Sequence, residues 1–367
     1  MSAVTRRAPA RRAPAWVAAA ASLLLIAPVL AGCGQGATGR GVVLLPAGGG
    51  GGTAHAPAGC ETGTPAGSPT CETVPPNVGF AQLSPDDWNL SKSSSAAGHL
   101  DMRLDGPGTL AVRGAFRKAP PCLESTCIAP SANTWVRAYP SVLYGLDQCQ
   151  PKLSPPASSA LRLPVRVASL PDDLIGTTAY TARTPHVTYD IAYDMWLNAS
   201  GTRSPCKTDG TVEVMVWTDY DTRALPYGAF DAGAATIPFA ANGHVDTGQR
   251  AWSVYVSNVD RNGQTVPWGG TVWVVLNRSH VVKDGTVSVD LSAALSTVGS
   301  VLQRDFGWTD FENRYWLDTV PFGIEFGPQD GMPYSDAPSD FSLHLSSYCL
   351  VFDTTLADAG CAQLSNS

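Results

Sequence analysis

The chain has 367 residues, of which 44% are hydrophobic and 15% charged, with a formal net charge of −7 at pH 7. That is enough apolar material for a sizeable core, and the acidic balance excludes the electrostatic footprint of a nucleic-acid or anionic-lipid binder.

In chain order, Arg6, Arg7, Arg11 and Arg12 form a basic n-region and Ala15 to Leu30 an apolar run. Leu30-Ala31-Gly32-Cys33 then resembles the bacterial lipobox. Residues 1–32 are expected to be a lipoprotein signal peptide and Cys33 the lipidated residue, anchoring the protein to a membrane in an extracytoplasmic compartment; a plain signal peptide or an uncleaved anchor is the alternative. Cleavage leaves 20 Lys and Arg against 31 Asp and Glu, a net charge near −11. Assigning Cys33 to lipid leaves eight of the nine cysteines, an even number suited to disulfides in an oxidising compartment. A sequence-local pairing is Cys60 with Cys71, Cys122 with Cys127, Cys149 with Cys206 and Cys349 with Cys361, one of 105 connectivities.

Residues 33–76, rich in Gly, Ala, Pro and Thr, read as a flexible tether. Gly34-Gln35-Gly36-Ala37-Thr38-Gly39 spells a dinucleotide-binding pattern, but no strand precedes it and no helix follows. From residue 77 to 367 short strand-like runs alternate with turn signals such as Asn262-Gly263 and Asp284-Gly285, predicting one all-β domain. Lys118 to Asn133 and Gln150 to Pro156 read as loop insertions. Three runs carry acids opposite their apolar residues. In Tyr189 to Leu197, Ile191, Tyr193, Met195 and Leu197 form one row, with Asp190, Asp194 and Trp196 on the other face. In Thr211 to Trp217, Val212, Val214 and Val216 oppose Glu213, Met215 and Trp217. In Pro321 to Phe326, Phe322, Ile324 and Phe326 oppose Glu325, which shares its face with Gly323 and is expected to look into open space. One helix is expected over about 290–304, capped by Asp290, with Leu291, Ala294, Leu295, Val298, Val301 and Leu302 along one side.

Tyr193-Asp194-Met195-Trp196, Glu213-Val214-Met215-Val216-Trp217, Pro226-Tyr227-Gly228 and Gly323-Ile324-Glu325-Phe326-Gly327 resemble, in order, the motifs of glycoside hydrolase family 12, endoglucanases and xyloglucanases. Trp135 to Gly145 and Trp252-Ser253-Val254-Tyr255 fall where that family has similar segments. The resemblance spans roughly residues 135–330, while Val78 to Ala132 matches poorly and offers only Trp88-Asn89 for the family's first Trp-rich strands. It implies a β-jelly-roll sandwich of two antiparallel sheets with a concave substrate groove and the single helix laid on it. It also implies a retaining, endo-acting hydrolase of β-1,4-glucosidic bonds in a β-glucan. Glu213 would be the nucleophile, Glu325 the general acid/base and Asp194 the acid that hydrogen-bonds the nucleophile, with Asp190 as the register alternative. Met215, Trp217, Trp196, Pro226 and Trp88 would bind substrate, and loop residue Trp268 could border the groove; Trp135, Trp252, Trp273, Trp308 and Trp316 are expected to be structural.

Retaining chemistry needs one carboxylate to attack the anomeric carbon and one carboxyl to protonate the leaving oxygen. No cofactor and no metal is expected: the His residues are scattered and Asp219, Asp221 and Asp260 lack calcium-loop spacing. The expected partners are a polysaccharide and, through Cys33, a membrane, the protein being a monomer. A non-catalytic glycan-binding lipoprotein on the same fold is the alternative, and transglycosylation would use the same residues. Metabolic labelling with a radioactive fatty acid is expected to mark the full-length chain expressed in a bacterium and to leave Cys33→Ser unlabelled; equal labelling of both would remove the anchor from Cys33.

Overall fold

The computed structural model describes residues 42–44, 70–72, 81–84, 86–91, 96–106, 109–125, 134–145, 161, 163–199, 210–259, 270–352 and 354–357. The signal segment, Cys33, Trp268, Asp260 and the Asn262-Gly263 turn lie outside them, as does Gln150 to Pro156.

In chain order the strands are β1 (Val42–Leu44), β2 (Thr70–Glu72), β3 (Ala81–Ser84), β4 (Ala97–Gly106), β5 (Thr109–Lys118), β6 (Ser141–Gly145), β7 (Val165–Arg166), β8 (Ile175–His186) and β9 (Thr188–Asn198). There follow β10 (Thr211–Tyr220), β11 (Phe230–Ala235), β12 (Phe239–Ala241), β13 (His244–Asp246), β14 (Trp252–Ser257), β15 (Gly270–Leu276) and β16 (Asp284–Asp290). Helices α1 (Leu291–Phe306) and α2 (Phe311–Arg314) precede β17 (Trp316–Gly327) and β18 (Ser339–Val351). They form two sheets of a β-jelly-roll sandwich. One runs β13-β12-β16-β8-β18-β5-β4-β2, with β1 also on β18; the other runs β11-β14-β15-β10-β9-β17-β6-β3, with β7 also on β17.

The period-two pattern builds the core between them. Ile191, Tyr193, Met195 and Leu197 of β9, Val212, Val214 and Val216 of β10, and Phe322, Ile324 and Phe326 of β17 are all fully buried. Aromatic rings bridge the sheets: Phe322 meets Tyr180 at 5.7 Å, and Phe326 meets Phe116 at 5.7 Å and Phe341 at 4.7 Å. Helix α1 starts where expected, the Asp290 carboxylate accepting from the Ala293 N–H at 2.8 Å, and ends at Gly307 in the left-handed region. Its buried side is the expected one, extended by Gly299 and Phe306.

Four expectations change. The sheets are not purely antiparallel, because β10 runs parallel to β15 and β2 to β4. The chain leaves β10 for the sheet edge and the opposite layer before β14 and β15 return, so β15 enters beside β10 in the same direction. Two pieces of the expected tether are strands, β1 against β18 and β2 against β4; a short Val-Val-Leu run suffices to pair once an edge is offered. Asp284-Gly285 begins β16 and makes no hairpin turn. The turn is Asn242-Gly243, both at positive φ, and the Asn242 side chain caps the Thr286 N–H at 2.9 Å. Finally, Gly323 opens no space: a β-carbon there would lie 2.3 Å from the Pro140 carbonyl oxygen, so this glycine allows the segment before β6 to cross β17 closely.

That crossing segment is held by a fully buried arginine. Arg137 donates to the carbonyls of Ala119 (2.8 Å), Thr134 (2.9 Å), Trp135 (3.1 Å), Pro333 (2.7 Å) and Ser335 (3.0 Å), gathering three loops around one guanidinium. Burial pushes its pKa down to about 10, with Asp330 opposing, so it stays charged at neutral pH. Arg137→Met fills the space but orphans these carbonyls. It is expected to lower unfolding free energy by about 3 kcal/mol or more, measured by urea denaturation; a loss within ~0.5 kcal/mol, as at an ordinary surface position, would refute the anchoring role.

Candidate active site

Residues directly opposite one another in neighbouring strands point to the same face, so the register of β9 with its two neighbours fixes the outer face row by row. The first row runs Ser257, Thr271, Glu213, Trp196 and Thr319 across β14, β15, β10, β9 and β17. The second runs Tyr255, Trp273, Met215 and Asp194, and the third Val275, Trp217, Ala192, Gly323 and Ser141. After a bulge between Trp217 and Asp219, the last is Tyr220, Asp190 and Glu325. All three proposed catalytic acids and Asp190 therefore share one face, opposite the core.

The acids sit in different surroundings. Glu213 and Glu325 are half-buried, Asp194 is 4% exposed and Asp190 fully buried. A Glu213 oxygen accepts from the Thr271 hydroxyl at 2.8 Å, and an Asp194 oxygen from the Trp196 indole N–H at 3.2 Å. Neither oxygen of Asp190 meets a donor among the described residues, and its carboxyl faces that of Glu325, the two being hydrogen-bonded when they share a proton. Burial is the largest cause that pushes Asp190 well above the carboxylate range, and Asp194 and Glu213 add to it. A straight strand would hold the Glu213 and Glu325 rows about 20 Å apart. Glu213 nonetheless lies within electrostatic reach of Asp190, whose carboxyl it helps to push up.

Tyr139 lies among them. Its buried hydroxyl donates to the Ala192 carbonyl at 2.8 Å, and its pKa is raised well above normal by burial first, then by Asp194, Asp190 and Glu325. The phenol thus stays neutral while pinning the middle of β9 to the segment before β6.

The expected binding residues are distributed unevenly. Trp196 is half-buried on the acid face. Met215 and Trp217 are on that face but only 2% and 1% exposed, packed with Ala192, Tyr220, Ala224 and Val275 in a second apolar cluster. Trp217 is therefore floor, with no ring face open for a sugar. Pro226 is half-buried and its neighbour Tyr227 79% exposed, and among the described aromatics Tyr227 and Tyr334 (70%) protrude most. Trp88 is half-buried in a segment tied to 136–139 by the Asn89 side chain on the Val136 carbonyl (2.6 Å) and by Tyr139 N–H on the Asp86 carbonyl (3.1 Å). That stretch pairs with Phe326, next to Glu325.

Trp252 and Trp308 are structural as expected, the first donating to the Ile237 carbonyl at 2.8 Å. Trp273 and Trp135 instead flank the outer cluster, because Trp273 stands opposite Met215 in the ladder. Trp316 is half-buried under Arg166, 4.9 Å from its ring. Thr271 and Tyr139 were missed as site residues. Period two in Gly270–Leu276 does put Thr271 opposite Val272 and Val274, but nothing in the sequence shows that β15 lies beside β10.

Among the described residues no group of His, Cys, Asp or Glu could hold a metal ion. Asp221 caps a turn and pairs with Arg223 at 2.7 Å; Asp219 is buried, accepting from the Tyr220 N–H (2.8 Å) and the Tyr189 hydroxyl (3.1 Å). Cys122 and Cys349 are disulfide-bonded, and their expected partners Cys127 and Cys361 lie outside the described residues.

No protein-family model and no curated protein matches the chain. Among solved structures it is similar to the family 12 xyloglucanase from Bacillus licheniformis in complex with ligand, at 16% identity over 74% of this chain and 92% of that one, TM-score 0.48. It is also similar to Trichoderma harzianum endoglucanase 3, from glycoside hydrolase family 12, at 15% over 76% and 93%, TM-score 0.46. A third is the xyloglucanase domain of a Sinorhizobium fredii type three effector in complex with cellobiose, at 14% over 74% and 93%, TM-score 0.42.

Burial pushes Asp219 up to about 6 from its ordinary 3.8, and Asp190 moves in the same direction. Between pH ~4 and ~6 the folded protein therefore binds protons that the unfolded chain has released, so these groups' contribution to stability falls as pH rises through that window. Thermal melts are expected to show Asp219→Asn narrowing the gap between wild-type stability at pH 4.5 and at pH 7. An undiminished gap would mean Asp219 does not carry that proton.

Proposed function

We propose that the protein is a retaining, endo-acting glycoside hydrolase that cleaves β-1,4-glucosidic bonds of a β-glucan at the cell surface, held there by a lipid on Cys33. The observation that supports this best is the set of carboxyls that the register gathers on one aromatic-flanked face, opposite the core: Glu213 and Asp194 in neighbouring rows, Glu325 beside a fully buried Asp190. Structural acids on a sheet surface stand in water or pair with Lys or Arg. Here Asp190 is fully desolvated and stands opposite Glu325, an arrangement that costs stability and suits acid/base chemistry.

In this reading the Glu213 carboxylate, oriented by the Thr271 hydroxyl, attacks the anomeric carbon while Glu325 protonates the departing oxygen. Glu325 then removes a proton from the water that displaces the sugar from Glu213. Asp194, held by Trp196, supports the nucleophile's charge state and orientation. Met215 and Trp217 form the floor beneath the sugar, and Trp196, Trp88 and the Pro226-Tyr227 turn line the path of the chain.

The test is reducing-end release from carboxymethylcellulose, barley β-glucan, xyloglucan and xylan by the secreted, unanchored chain, with proton NMR of the first anomer formed. Release from a β-glucan with retained configuration is expected, and Glu213→Gln and Glu325→Gln should each lower kcat by about 10²-fold or more with unchanged circular dichroism. Inversion would reject the double displacement. Binding to a polymer without any release would replace the hydrolase by a glycan-binding lipoprotein.

A further inference from the structure

Asp190 has no role in the reaction as set out above, yet it is the most deeply placed acid on the face. It is fully buried, neither oxygen meets a donor among the described residues, and it stands directly opposite Glu325 in the β9–β17 ladder. The charged groups that act on it are Glu325 from β17, Asp194 from its own strand and Glu213 from β10, all acids. Tyr139, from the segment before β6, approaches as a neutral phenol already committed to the Ala192 carbonyl, and Tyr220 stands opposite in β10. Among the described residues no cation neutralises a carboxylate so enclosed, and a proton shared with Glu325 is what makes the contact between the two carboxyls attractive.

We propose that Asp190 is the positioning residue of the acid/base, its carboxyl sharing one proton with Glu325 so that Glu325 is loaded and aimed when the leaving oxygen arrives. This rests on the reading of Glu325 as the acid. The cycle balances. As the glycosidic bond breaks, the shared proton leaves through Glu325 on the departing oxygen, and the pair gains a negative charge while Glu213 loses one by forming the ester. When water attacks, its proton returns to the pair and Glu213 regains its carboxylate, so the face carries the same charge at each stage. Asp190 itself never touches the sugar.

Asp190→Asn keeps the shape but replaces the shared proton with an amide that donates to ionised Glu325 and so favours proton loss. On a glucan, whose leaving group needs protonation, the basic limb of the kcat/KM profile should move to lower pH, with about a tenfold loss at neutral pH that is recovered on acidification. With a dinitrophenyl cellobioside, whose leaving group departs without a proton, kcat/KM, which reports formation of the glycosyl-enzyme, should stay within about twofold. An unmoved profile, or an equal loss at every pH and for both leaving groups, would overturn the proposal.

A second readout does not depend on turnover. Infrared titration of the wild type should show a protonated carboxyl persisting at neutral pH that is lost in Asp190→Asn and moves in frequency in Glu325→Gln, where the buried Asp190 keeps a proton it no longer shares. If the wild type cleaves no polymer but keeps this band, the hydrolase reading falls and the shared proton stands. If the band is absent from the wild type, the shared proton falls whatever the activity.

Discussion

The arrangement depends on one strand, β9, being hydrogen-bonded on both sides in a single register. A slip of one residue against either β10 or β17 would turn that neighbour's acid into the core and its apolar row outward, so the buried Ile191, Tyr193, Met195 and Leu197 hold the register that the acids need. The core and the site are thus two faces of the same constraint. Hydrophobic burial fixes the register, and the register delivers Asp194 beside Met215 and Asp190 beside Glu325.

Two further anchors carry that constraint outward. The Tyr139 hydroxyl fastens the middle of β9 to the segment entering β6, and two residues earlier Arg137 draws the 119, 134–136 and 333–335 stretches onto its guanidinium. Gly323 lets that segment pass close to β17, two residues from Glu325. The wall near Glu325 is therefore built from loops drawn together by one buried cation and by backbone bonds such as Asn89 N–H to the Arg137 carbonyl (3.2 Å) and Cys122 N–H to the Asn89 carbonyl (2.8 Å). The opposite part of the face is different: Met215, Trp217, Tyr220 and Val275 give it an apolar floor, and Tyr255 and Trp273 flank it.

Asp194 and Glu213 repel a charge on Asp190, which is desolvated with no cation beside it among the described residues. Such a cluster lowers the stability of the fold at neutral pH, and a core that seals two large sheets with interleaved aromatics from both can bear that cost. The same burial that makes the cluster costly removes the water that would otherwise let each carboxyl ionise independently.

Strand alternation was legible in the sequence because the side-chain period is local: which of Glu213, Glu325, Asp190 and Asp194 face away from the core follows from counting by two. The helix over Leu291–Phe306 was legible for the same reason, its cap and its buried stripe lying within a few residues of one another. What the sequence could not determine was which strands are neighbours. The parallel pairing of β10 with β15 brings Thr271 to Glu213 across 58 positions, and the β9–β17 register sets Asp190, not Asp194, against Glu325. Nor could it show that Trp217 lies under Tyr220 and Ala224, which depends on how the chain after β10 packs back, or that Gly323 faces a carbonyl, which depends on a crossing segment whose path no local pattern encodes. Local periodicity assigns each residue a face, whereas partner, depth and charge environment arise only when distant strands meet.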